Sequence, residues 1–442
     1  MLPRVRVRPL AILRRWRQGS GVRVLYTLAM YLVTPLMLLR LLARGLRSRP
    51  YRRRWPERFG FFAHPGLHGS LWVHAVSVGE VNAAVPLIRE LAQAYPHAPM
   101  VVTTVTPTGS ARVHQLFGDS VFHVYLPYDL PFAVERFLRQ VRPRLALIVE
   151  TEIWPNLYFA CHERGIPLMI VNARLSRRSL RGYRPLRALA RSALGCVTVI
   201  AAQSRSDAAR YRLLGADPRQ IIVTGNMKFD MPIPDNAVAV GAAMRAQWGS
   251  ERPVWIAAST HEGEELAVLE AHRQIMREFP DALLLLAPRH PERFRLIEHL
   301  ARVQGFTSAT RSAQGTPAAQ HQVFVIDAMG QLMPYFSCAD VAFIGGSLVR
   351  IGGHNVLEPA ALSTPVLVGP YTFNFQEITL TLIQHHGAVR VADADQLAAQ
   401  VLKLLRDPQQ QRRMGAAAHS VFERERGAVP RVMHLVDLLL QE

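Results

Sequence analysis

Residues 71–84 read LWVHAVSVGEVNAA. An apolar run, a turn holding Ser77 and Gly79, and an amphipathic stretch opening at Glu80 make the strand, loop and helix of a parallel βαβ unit. The same alternation continues through MVVTTV (100–105), VFHVYL (121–126), LALIVE (145–150), LMIVNA (168–173), VTVIAA (197–202) and IIVTG (221–225). A proline-rich break, MPIPDN (231–236), ends this series. A second follows, with PVWIAAS (253–259), ALLLLAP (282–288), VFVIDA (323–328), VAFIGG (341–346) and PVLVGP (365–370). The pattern predicts an α/β protein of two Rossmann-like, doubly wound domains whose strand ends face a cleft. The expected divisions are 1–48 for a basic tail and membrane-anchor helix, 49–232 for the first domain and 237–442 for the second.

With 49% apolar and 19% charged residues in 442, the chain buries two cores and leaves no room for extensive disorder. The net charge of +19 is concentrated at one end. Fifteen arginines and a single acid, Glu57, precede residue 59, so the rest of the chain is nearly balanced. Nucleic-acid binding would spread basic and aromatic residues over a folded face. Here the arginines bracket an uncharged run of sixteen residues, VLYTLAMYLVTPLMLL (24–39). As a helix that run extends ~24 Å, short of the ~30 Å bilayer core unless flanking arginines snorkel. No small-residue cleavage site follows it, which argues against a signal peptide. A membrane anchor or deeply inserted helix is expected, with anionic lipids as partners and the folded domains on the cytoplasmic face. Cys161, Cys196 and Cys338 have neither disulfide nor zinc spacing.

Several residue types at strand ends suit group transfer. Ser77 and Glu80 have capping-box spacing, and Glu80 is equally a candidate general base facing the cleft. Glu150 and Glu152 end an apolar strand, where a period of two sets both carboxylates on one side; a metal pair and a structural pair are both open. Lys228 is one of two lysines among 52 basic residues, so its use where arginine is otherwise the rule suggests a need for a compact ammonium. In the second half, Arg289 suits a phosphate through paired N–H donors, whereas Arg293 fits a solvated turn. Ser259 and Thr260 fit either a phosphate contact or a helix N-cap. Gly345, Gly346, Gly352 and Gly353 let backbone approach a phosphate, and Glu358 has the reach to accept from both hydroxyls of a ribose. His261 and His354 carry no ligand spacing, and no metal is expected.

The blocks SVGE (77–80), TVTPTGS (104–110), YLPYDLP (125–131), VETEIWPNL (149–157), VNARLSRRS (171–179) and GNMKFD (225–230) occur in this order. With ASTHEGEE (258–265), LAPRHPERF (286–294), FIGGSLVRIGGHNVLEP (343–359) and VGPYTFNF (368–375), they closely resemble the bacterial 3-deoxy-D-manno-octulosonic acid (Kdo) transferases, from about residue 22 to the final helix. The resemblance implies a GT-B glycosyltransferase that moves Kdo from CMP-Kdo to a lipid A precursor with inversion, at the inner membrane, without cofactor or metal. It implies Glu80 as general base, with Glu150 and Lys228 supporting the transition state. It also implies a CMP pocket of Pro288, Arg289, Met329, Gly330, Gln331, Asn355, Val356, Leu357 and Glu358, with possible phosphate contacts from Ser259, Thr260, Gly346 and Gly353. Gln331 departs from the family's usual glutamate, which removes a carboxylate contact there. Arg52, Arg53, Arg54 and Arg58 are expected to meet the acceptor's phosphates. The rival reading is another GT-B nucleotide-sugar transferase acting on a membrane lipid.

Overall fold

The structure, a computed structural model, describes residues 20–441. The basic tail expected before the anchor falls on residues 1–19, outside the described residues. The chain forms two compact lobes, one built from residues 1–231 together with 426–442 and the other from 232–425.

The first lobe carries a seven-stranded sheet of β1 (Ser70–His74), β2 (Met100–Thr104), β3 (Phe122–Tyr125), β4 (Pro143–Val149), β5 (Leu168–Ala173), β6 (Val199–Ala202) and β7 (Ile221–Val223). The spatial order is β3-β2-β1-β4-β5-β6-β7, and every pairing is parallel. A parallel sheet is covered on both faces. Along β1, Leu71 and Val73 join one core while Trp72 joins the other, as the two-residue period requires. Strand order reverses between β1 and β4, so the crevice at that point lies between the loop that carries Glu80 and the turn that carries Glu150.

The second lobe repeats the plan with β8 (Val254–Thr260), β9 (Leu283–Pro288), β10 (Ser308–Thr310), β11 (Val323–Val325), β12 (Val341–Ile344), β13 (Val366–Val368) and β14 (Ala388–Arg390). Its order is β10-β11-β9-β8-β12-β13-β14, with the reversal between β8 and β12. The sequence reading passed over β10 and β14. Both are three-residue edge strands, SAT and AVR, with no apolar run to mark them.

Two expectations are corrected. Residues 426–442 were assigned with the second domain, yet the helix Ala428–Gln441 buries Val429, Val432, Leu435, Val436 and Leu439 in the core of the first lobe. Asp230 secures it, its two carboxylate oxygens accepting from the amides of Gly427 and Val429 at 2.6 Å each. The N-terminal helix also outruns the sixteen-residue apolar segment. It spans Ser20–Arg47, or ~42 Å. Arginine is a good helix former, and Arg44 and Arg47 in the last turn complement the helix dipole, so the charges that bound the apolar run do not end the helix. By length and composition it is long enough to cross a membrane, with mean hydropathy 1.7 over its most apolar window.

Asp230→Ala removes two charge-assisted hydrogen bonds at a helix start and is expected to cost about 2 kcal/mol. Denaturant unfolding of the full chain measures this, and a loss under about 0.5 kcal/mol contradicts the capping role.

Candidate active site

In the first lobe, the helix Val78–Ala94 begins after β1 with Ser77 as N-cap, but the Ser77 hydroxyl makes no capping bond. Glu80 alone reaches back, accepting from the Val76 amide at 2.5 Å. Neither half of the capping box is formed, since the amide that Glu80 meets precedes the N-cap, and Glu80 keeps a second oxygen for other work. Burial pushes the Glu80 carboxyl up to about 8; the neighbouring Glu150 and Glu152 charges push the same way, while the Val76 N–H and Lys228 oppose them.

Glu150 and Glu152 approach Glu80 by a route that strand periodicity does not describe. β4 ends at Val149, and Glu150 takes a left-handed backbone with φ of 64°. The period of two stops there, so that argument for a shared side fails, although both carboxylates act on Glu80. The turn is held from several sides. The Glu150 amide donates to Val171 O (2.9 Å), the Tyr211 hydroxyl donates to Glu150 O (3.2 Å), the Thr151 hydroxyl to Arg174 O (2.5 Å), and the Tyr158 hydroxyl to Glu152 O. Burial raises the Glu152 carboxyl, and the Glu150 charge adds to it.

Lys228 completes the group, with its Nζ 3.5 Å from Glu150 Oε1. It lies in a single 3-10 turn, Met227–Asp230, whose N-cap Asn226 accepts from the Lys228 amide. A residue the sequence reading did not single out fixes this turn. Asn172, fully buried at the end of β5 with φ of 52°, accepts from the Met227 amide at 3.0 Å. Asparagine tolerates a left-handed backbone better than most residues, and an asparagine closing an apolar strand was the available signal. Glu80, Glu150, Glu152 and Lys228 thus converge at the carboxyl ends of β1, β4 and β7. The ion pair to Lys228 favours the structural reading of the two glutamates over a metal pair.

The four arginines expected to meet acceptor phosphates are mostly committed inside the lobe. Arg54 bonds Glu57 Oε1 (2.6 Å), Ser110 Oγ (3.0 Å) and His123 O (3.0 Å), and it covers the Tyr125 ring. Arg58 is buried against the same ring and donates to Val105 O. Arg52 donates to Gly45 O. Arg53 is the exposed member of the set without such a contact.

In the second lobe, Ser259 and Thr260 lie within β8, where Ser259 forms a bulge with φ of 58°. The next helix starts at Glu265, which overturns the N-cap reading of this pair. Gly345 follows β12 so closely that a Cβ there would sit 2.7 Å from both Ser259 O and Thr260 Cα. The glycine loop is filled from within. Glu264, fully buried, accepts from the amides of Gly346 (2.6 Å) and His261 (3.0 Å) through one oxygen, and from Ser347 (2.9 Å) and Leu348 (2.8 Å) through the other. The amides of Gly352 and Gly353 donate to Gly346 O. The N–H groups of Gly346 and Gly353, two of the residues expected near a phosphate, are thus engaged within the loop. Glu264 was missed because THEGEE offers three similar acids and only the fold selects one.

Arg289 follows β9, its amide donating to Thr260 O; burial raises the Glu358 carboxyl, opposed by its hydrogen bond from Asn355 and by the Arg289 charge. Glu358 accepts from Asn355 Nδ2 at 3.1 Å, and Asn355 Oδ1 accepts from the Leu357 amide at 3.1 Å. Val356 and Leu357 are buried beneath them, and Pro288 is buried at the end of β9. Met329, Gly330 and Gln331 form an exposed turn, with Gly330 at φ of 74°. Arg293 is not in a solvated turn; it pairs with Glu265 (3.1 Å) and Glu262 (3.3 Å). His261 and His354 stack with their Nε2 atoms 2.7 Å apart. The second lobe thus gathers an arginine, a carboxylate and an open glycine turn at its strand ends, the kit for a phosphate and a ribose.

Two Rossmann-like lobes, one with a carboxylate and lysine cluster and the other with a nucleotide-type site, define a sugar-nucleotide enzyme of the GT-B class. The UDP-GlcNAc 2-epimerase of Neisseria meningitidis bound to UDP-GlcNAc has the same fold, at 16% identity and a TM-score of 0.54 over 84% of this chain and all of that one. Residues 53–231 match the family profile described as 3-deoxy-D-manno-octulosonic-acid transferase (kdotransferase). The chain is 42% identical over 423 residues to the 3-deoxy-D-manno-octulosonic acid transferase of Haemophilus influenzae, covering 95% of this chain and 99% of that protein. Identity to the Bordetella pertussis enzyme of the same name is 37% over 435 residues, with the same two coverages. The chain belongs to the 3-deoxy-D-manno-octulosonic acid transferase family.

Two measurements test these geometries. Glu152→Gln removes a like charge, so the Glu80 carboxyl is expected to titrate lower than about 8, as seen by NMR of labelled glutamate; an unchanged value contradicts the coupling. Glu264→Ala strands four amides and is expected to cost ~4 kcal/mol or more, read by thermal unfolding of the full chain. A loss under about 1 kcal/mol contradicts its place as the loop's internal anion.

Proposed function

We propose that this chain moves Kdo from CMP-Kdo to a lipid A precursor with inversion, at the cytoplasmic face of the inner membrane. The observation that carries the mechanism is the convergence of Glu80, Glu150, Glu152 and Lys228 at the strand reversal of the first lobe, in a chain 42% identical to a Kdo transferase. Glu80 takes the proton of an acceptor hydroxyl as that oxygen attacks the anomeric carbon, and the bond to CMP breaks with its electron pair passing to the phosphate oxygen. A carboxylate raised to about 8 is a far stronger base than an ordinary one, because burial and two like charges favour its taking up a proton. Lys228 supplies a compact positive charge to the anionic reacting centre, and Glu150 orients it.

The second lobe holds the donor's nucleotide. Arg289 meets the phosphate, Glu358 accepts from the ribose hydroxyls with Asn355 fixing its carboxylate, and Pro288, the turn Met329–Gln331, Val356 and Leu357 shape the pocket. Ser259 and Thr260 contribute side-chain hydroxyls near the phosphate. Gln331 takes part through its backbone or amide. Anionic lipids attract the arginine-rich end of the chain. Protein donors meet the leaving nucleotide, so neither metal nor cofactor has a role.

Glu80→Gln is expected to lower kcat by about 10²–10⁴-fold with CMP-Kdo affinity kept, in an assay with a lipid A precursor. Because the base must be ionised, wild-type kcat should rise with pH through about 8 and then level. Retained turnover in Glu80→Gln, or a flat wild-type profile, contradicts Glu80 as base.

A further inference from the structure

The N-terminal helix is docked along one face. From Arg23 to Gly45 its half-buried and buried residues recur every three or four positions, at 23, 26, 30, 34, 37, 41 and 45, against the first lobe. At the near end, Arg23 lies over the Phe159 ring and pairs with Glu163. Next, the Tyr26 hydroxyl donates to Asp129 Oδ2 (2.9 Å), and the Thr27 hydroxyl to Asn156 Oδ1 (3.1 Å). Asp129 is itself fully buried and accepts from the first amides of the helix Pro155–Glu163. Further along, Met30, Met37 and Leu38 pack on Tyr128 and Leu130, Leu41 is 6% exposed, and at the far end Gly45 O accepts from Arg52.

The docked stretch from residue 23 to 45 rises ~33 Å, more than the ~30 Å hydrocarbon core. A helix crossing the bilayer would carry the lobe beside it through the full thickness. Exposed Glu163, Arg164 and Arg139 on the adjoining helices would then enter lipid, at several kcal/mol each. Among the described residues, none covers the opposite face. Leu25, Leu28, Leu32, Leu36 and Leu39 recur three and four apart, Leu46 follows two turns on, and all six are 56–78% exposed. At about 100° per residue, Arg40 and Arg47 fall between the docked face and the leucine face, at headgroup height for a helix lying flat, and Arg44 sits at the edge of the docked face.

We propose that the helix lies in the plane of the membrane, its leucine face sunk into one leaflet and its flanking arginines among anionic headgroups, so that the first lobe rests on the bilayer at a fixed height. This rests on the membrane reading above and replaces a spanning anchor with a one-sided float. The Tyr26–Asp129 bond makes the float part of the lobe.

Full chains carrying Val22→Cys, Arg49→Cys or Arg139→Cys, one change each at exposed positions off the leucine face, are expressed and collected in inverted membrane vesicles. The native Cys161, Cys196 and Cys338 are buried, which keeps background labelling low. A membrane-impermeant maleimide is expected to label all three introduced thiols before permeabilisation. Labelling of Val22→Cys only after permeabilisation, with Arg139→Cys already labelled, overturns the proposal and leaves a spanning anchor. In parallel, the purified chain is floated with vesicles of phosphatidylethanolamine and phosphatidylglycerol, where Leu32→Glu is expected to reduce the bound fraction at least several-fold without changing thermal unfolding. Wild-type protein that fails to float overturns the membrane reading itself, and with it this proposal.

Discussion

Three carboxylates held within reach of one another are the constraint on which the first lobe depends. Left alone they would repel and swing into solvent; here one meets a lysine, one meets a backbone amide, and the turn between them is tied down by two tyrosine hydroxyls. Burial, with the repulsion that remains added to it, is what makes Glu80 basic. The left-handed Glu150, Asn172 under the Lys228 turn and the unmade capping box at Ser77 fit this need to keep like charges close.

The second lobe solves a related problem in the opposite way. Consecutive amides after β12 form a natural anion cradle, and the protein fills it with its own Glu264. The loop is thereby held from within, and in the function proposed above recognition passes to side chains, Arg289 and Glu358 foremost. Preorganisation of this kind lowers the ordering cost of binding.

The longer strands were legible because five to seven consecutive residues carried their signal, Glu80 stood out by its place where a strand gives way to a helix, and Lys228 because lysine is rare in this chain. What was not legible depended on long-range contacts. The terminal helix reads as amphipathic anywhere, and only Asp230 and the first-lobe core show where it packs. Arg54 and Arg58 look like free charges until Tyr125 and their carbonyl partners are seen. Strand period placed Glu150 and Glu152 on one side for the wrong reason, since a left-handed residue ended the strand first. The apolar run near the N-terminus showed how greasy the first helix is, but which face is greasy required its docked stripe.

The central claim is the transfer itself. Detergent-solubilised full-length protein given CMP-Kdo and a tetraacylated lipid A precursor, with products followed by mass spectrometry, tests it most directly. The account predicts stepwise mass increases of one Kdo residue on the lipid and release of CMP. No addition by folded protein, with transfer appearing instead from a UDP-sugar in a donor screen, would contradict it.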